Sequence, residues 1–113
     1  MSAAIRSDVA LPPGTDSNAV DEWQIDRTGE YPTYRCIWST PLSNDSRYHL
    51  KVVGVQLADG SMCVETGDAP AVYLDHDPMT PEAARAMAAA LNAAADLAER
   101  WADSSLTKSI EVP

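Results

Sequence analysis

The sequence predicts an α+β domain, an antiparallel meander of four to five strands followed by one long C-terminal helix packed on one face. Three observations carry this. Apolar and polar residues alternate in short runs between residues 22 and 74. An Asp59-Gly60 pair separates two apolar runs, a strong signal of a tight hairpin. From Glu82 to Ala102 there is no Gly or Pro, and eleven residues are Ala, which is helical composition. A chain of 113 residues supports one modest core, not two.

Residues 1–20 read as a flexible N-terminal tail, interrupted by Pro12-Pro13-Gly14 and poor in apolar residues. The domain is expected over 21–104, with a C-terminal tail at 105–113. A first strand is expected over Glu22–Arg27, with Trp23 and Ile25 sharing a face. Gly29 to Thr33 is a turn. Tyr34–Ser39 alternates again, and Tyr34, Cys36 and Trp38 are placed on the core face. Pro41 to Ser46 is a polar loop.

A type I′ turn at Asp59-Gly60 fixes the next register. It sets Leu57 opposite Met62, Val55 opposite Val64 and Val53 opposite Thr66. That parity is apolar or β-branched and is assigned to the core. The other parity carries Gly54, Gln56, Cys63 and Glu65. A slip of one residue would reverse every side chain. Ala71–Leu74 is a short strand with Val72 and Leu74 on one face. Thr80-Pro81-Glu82 then starts the helix with an N-cap, a first-position proline and an early acid. Met87, Leu91, Ala94, Ala98 and Trp101 form its apolar stripe.

Seventeen acids against eight bases give a net charge of −9. Phosphate binding needs clustered Lys and Arg, so direct nucleic-acid binding is not expected. No run reaches the roughly 18–20 apolar residues of a membrane span. The first twenty residues lack the apolar stretch of a secretory signal. A cytoplasmic protein without a membrane role is expected, and two cysteines do not make a disulfide framework.

Chemistry-bearing residues are sparse. Cys36, His49, Cys63 and His76 show no CxxC or HxxxH spacing, and the two cysteines fall on opposite inferred faces. No metal ligands are assigned, and no disulfide. In Asp75-His76-Asp77, strand neighbours point to opposite sides, so the carboxylates do not converge on the imidazole. No GxSxG elbow or Gly-rich phosphate loop is present. The residues therefore assign no catalytic group and no cofactor. Trp23, Trp38 and Trp101 are candidates for a ligand pocket or an interface hot spot, but without Phe the core is expected to use Trp23 and Trp38 against the helix, with Trp101 at one end.

The second sheet face then carries Ile37, Leu50, Val52 and Tyr73 among polar residues. A sheet covered on one side needs no apolar residues on the other, so these four are the candidate interaction face.

The segment Met79-Thr80-Pro81-Glu82-Ala83-Ala84-Arg85, with Met87 to Leu91 and Ala94 to Glu99, resembles the C-terminal helix of a group of small uncharacterised actinobacterial and actinophage proteins. The resemblance covers about 25 residues and implies strands followed by a helix. Many of that group carry a Trp-Cys pair with a nearby His. This chain has Cys36-Ile37-Trp38 instead, and the resemblance implies no activity.

The expected function is a non-enzymatic protein-interaction module, homodimeric, binding a protein partner through the outer sheet face or the acidic surface. One alternative is an acidic, nucleic-acid-mimicking inhibitor of a basic protein. The other is a small-ligand or metal-dependent enzyme.

Overall fold

The computed structural model describes residues 9–111. Four strands, β1 (Thr15–Val20), β2 (Tyr34–Ser39), β3 (Tyr48–Leu57) and β4 (Ala71–His76), precede one helix, α1 (Pro81–Glu111). The strands form one sheet in the order β1-β2-β3-β4, each pair antiparallel. The helix packs across one face, so the α+β meander holds. No helix among the described residues is long and apolar enough to cross a membrane.

The helix starts as its sequence predicts. The N–H of Ala83 donates to Thr80 Oγ1 at 3.1 Å, which caps the first turn. Met87, Ala94, Leu97, Ala98 and Trp101 are buried, and Leu91 packs partly against them. The expected C-terminal tail is largely helical, because the element continues to Glu111. Residues 112 and 113 lie outside the described residues, as do residues 1–8 of the expected N-terminal tail.

The rest of that tail is structural. Thr15–Val20 forms the edge strand, and Glu22–Arg27 keeps only an isolated bridge, Gln24 to Tyr34. Residues 9–14 run as a strap over the core. Arg35 Nη2 donates to the Val9 carbonyl at 3.2 Å, Gln56 Nε2 to the Ala10 carbonyl at 2.7 Å and Trp101 Nε1 to the Pro13 carbonyl at 2.8 Å. Arg35, Gln56 and Trp101 are all buried, so each buried donor finds its acceptor in the strap. Leu11 packs against the core beside them. Gly14 takes a φ of +84°, and a Cβ there would lie 3.2 Å from Leu97 Cδ2.

The face assignment is the reverse of the expected one. Ile37 on β2 and Tyr48, Leu50, Val52 and Gln56 on β3 are buried on the face that the helix and the strap cover between them. Val53, Val55 and Leu57 lie on the opposite face, half-buried. Two physical causes are visible. A Cβ on Gly54 would stand 2.6 Å from Met62 Cε and 3.2 Å from Trp101 Cε3. The glycine is therefore a niche for the indole and the thioether. Gln56 is buried because its amide is satisfied, accepting from Arg35 Nε at 2.9 Å while donating to the Ala10 and Gly60 carbonyls.

The hairpin also differs. Among the described residues only glycines have positive φ, and Gly60 has a φ of +94°. Asp59 therefore does not enter the left-handed region that a type I′ turn requires. Gly60 N donates to Leu57 O, Leu57 N donates to Ser61 O, and Gln56 bridges Met62. The loop has three residues, with the glycine in the left-handed position. Pairing ends after Cys63 N donates to Val55 O at 2.8 Å. Val64 and Thr66 consequently never reach Val55 and Val53. A turn around Gly67 carries the chain back to β4, where Ala71 pairs with Val53.

Candidate protein interface on the outer sheet face

The four residues expected to form an interaction face are split by this packing. Ile37, Leu50 and Val52 have 0% exposure and belong to the core, so they offer no surface. Tyr73 is on the outer face and 45% exposed. The parity of β3 that carries Gly54 and Gln56 turns inward, and Leu50 and Val52 turn inward with it.

The true outer face is laid out in cross-strand rows. Cys36 pairs with Val55, which lies opposite Cys63. Trp38 pairs with Val53, and Val53 pairs with Ala71. Lys51 pairs with Tyr73, and His49 with Asp75. Trp38 and Tyr73 meet edge to face over β3, with ring centroids 5.6 Å apart and planes at 89°. Trp38 is thus an outer-face residue. Trp23 stacks on the Arg35 guanidinium, whose Cζ is 4.3 Å from its ring centroid. Only Trp101 takes the expected core role.

Two separate hollows lie on this face. The larger, about 690 Å³, has Tyr34, Cys36, Val55, Leu57 and Cys63 as its floor. Ile25, Tyr31 and Pro32 wall one side, and Glu65 and Asp68 wall the other. The smaller, about 440 Å³, lies among Asp21, Trp38, His49, Lys51, Tyr73 and Asp75. The Ile25–Pro32 wall is held by Asp26, whose carboxylate accepts from Thr28 N, Thr28 Oγ1 and Tyr31 N at 2.8–3.0 Å. Those bonds, led by the Thr28 hydroxyl, keep the Asp26 carboxyl below its ordinary range. Its two most exposed apolar side chains, Ile25 and Tyr31, stand at the rim.

Cys36 and Cys63 share this face, contrary to the expected opposition. Both are free thiols. They flank Val55 on either side of β3, so two inter-strand spacings, roughly 9.6 Å, separate their backbones. That exceeds the reach of a disulfide. Burial raises the Cys36 thiol, and the charges of Asp21 and Asp68 push it the same way. No three His, Cys, Asp or Glu side chains converge among the described residues. In Asp75-His76-Asp77, His76 Nδ1 lies 2.9 Å from the main-chain oxygen of Asp77, and Asp75 faces His49 instead.

The residues missed by sequence reasoning are Trp38, Val55, Cys63 and Tyr31. One signal could have found the first three, and none in the strand pattern points to Tyr31. Along β3 the first half alternates Tyr48, Leu50, Val52 against His49 and Lys51. Burying Lys51 costs far more than burying Gln56 with partners, so this half decides the parity. No family model, curated protein or solved structure matches the chain.

Proposed function

We propose that this chain is a non-enzymatic interaction module that binds a protein partner through the outer face of its sheet. The observation that supports this most is the apolar hollow of about 690 Å³ on the face that the helix leaves open. A sheet needs one covered face for stability, and a contiguous apolar hollow on its open face is the kind of surface that marks an interaction site. The Trp38–Tyr73 pair adds two rigid aromatic side chains of the kind that anchor interfaces.

The test is site-specific photo-crosslinking. A photoreactive residue replaces Tyr73 in one variant and Asn92, on the exposed face of α1, in another. The reading expects a discrete adduct from position 73 and none from 92. The purified partner should then bind the native chain and lose affinity for Tyr73→Ala. Adducts from position 92 alone, or none from 73, would contradict the reading.

The acidic-mimic alternative draws on the charge of −9 and on Asp21, Asp26, Glu65, Asp68 and Asp75 along the two hollows. It requires a partner that also binds nucleic acid, so competition by duplex DNA separates it from the first reading. A homodimer packed through this face would set the same carboxylates against each other.

A further inference from the structure

We infer that the occupant of the outer face is an extended segment of another protein, with an apolar or aromatic anchor flanked by Lys or Arg. This rests on the reading that the face is a protein interface, and names the chemistry of the partner.

The larger hollow contributes the anchor site. Val55, Leu57 and Tyr34 floor it, and Tyr31, 68% exposed, stands at its rim. Its lining includes Asp26, Glu65 and Asp68 and no Lys, Arg or His. Asp26 is committed to the turn that it organises. The Glu65 and Asp68 side chains are exposed and make no hydrogen bond among the described residues, so their charges face whatever enters. The field also reaches the floor, where Asp21 and Asp68 act on the Cys36 thiol. An apolar floor with an acidic wall selects an apolar side chain next to a cation.

Geometry sets the length. The smaller hollow lies farther along the same strand, at His49 and Lys51, beyond Val53. Leu57 and Lys51 are about 20 Å apart along β3 at roughly 3.3 Å per residue. An extended segment of about six residues spans that distance. A second copy of this chain is a poor occupant, because its own face offers the same carboxylates, with Lys51 and His49 as the only basic residues among the linings of the two hollows.

The probe is a phage-displayed library of random 12-residue peptides, selected on the immobilised full chain. Enriched peptides are resynthesised with a fluorophore and titrated by anisotropy. The inference expects a shared Leu or aromatic residue with at least two neighbouring Lys or Arg. Affinity should fall about tenfold or more in Glu65→Lys/Asp68→Lys, and several-fold when salt rises from about 50 to 200 mM. Both positions lie in an exposed turn, so the reversed variant keeps its fold. Tyr31→Ala should also weaken binding. Peptides that lose affinity with Tyr31→Ala but not with charge reversal would overturn the basic-segment inference and leave the interface standing. Peptides indifferent to both changes, or a selection without enrichment, would overturn both.

Discussion

Trp101 Nε1 donates to the Pro13 carbonyl oxygen at 2.8 Å, joining residues 88 positions apart. The bond ties the helix to the strap that crosses the core, beside the parallel ties from Arg35 and Gln56. Deleting residues 1–14 should therefore destabilise the domain. Three buried donors lose their acceptors at about 1 kcal/mol or more each, and the half-buried Leu11 leaves the core at about 1 kcal/mol. A loss of roughly 3–6 kcal/mol in urea unfolding is expected. A loss below about 1 kcal/mol would return the segment to a disposable tail.

The two faces of β3 should respond unequally to truncation. Leu50→Ala opens a cavity beneath the helix and should cost about 2–5 kcal/mol. Leu57→Ala, on the half-buried outer face, should cost under about 1.5 kcal/mol. Gly54→Ala should cost about 1–3 kcal/mol, since the methyl group meets an indole as well as a flexible Met62. Equal losses for Leu50 and Leu57 would contradict the face assignment. Chemical denaturation of each variant measures it.

Much of the fold was legible in sequence because local signals agreed. Thr80, Pro81 and the 3.6-residue stripe through Trp101 placed the helix, and the alternation in Tyr34–Ser39 placed β2. The inner and outer faces were not legible from the hairpin, because a glycine and a glutamine usually mark an outer face. Here Gly54 makes room for Trp101, and Gln56 is satisfied by Arg35 and by residue 10. Both partners are remote in sequence, and no local pattern encodes them. The strap was missed for the same reason, since its stability lies in carbonyls that any residue carries. The candidate site inherited the inversion, and Tyr73 alone stays outside, on the row it shares with Lys51.

Asp45 and Arg47 make an exposed bidentate pair, with the closer contact at 2.6 Å. The Arg47 hydrogen bond holds the Asp45 carboxyl down at about 2. A depressed carboxyl stabilises the fold above its unfolded value near 3.9, and that contribution disappears as pH falls from about 4 through about 2. The pair is solvated, so its effect on stability should be small and salt-sensitive. NMR titration of Asp45 should give a midpoint near 2, returning toward the ordinary range in Arg47→Gln. An unchanged midpoint in that variant would discount the pair.

Cys36 reports the field at the floor of the groove. Burial, Asp21 and Asp68 all raise its thiol, so less thiolate is present at a given pH. Alkylation of Cys36 by iodoacetamide at pH 8, followed by peptide mass spectrometry, should quicken in Asp68→Asn. An unchanged rate would mean that the carboxylate does not act on the groove.

The most direct test follows amide shifts of the isotopically labelled full chain as an enriched basic peptide is added. The expected changes fall on the rows Cys36–Val55–Cys63 and Trp38–Val53–Ala71, on Tyr73 and on the Glu65–Asp68 turn. Changes centred on the solvent side of the helix, at Arg85, Asn92 and Glu99, would contradict the account.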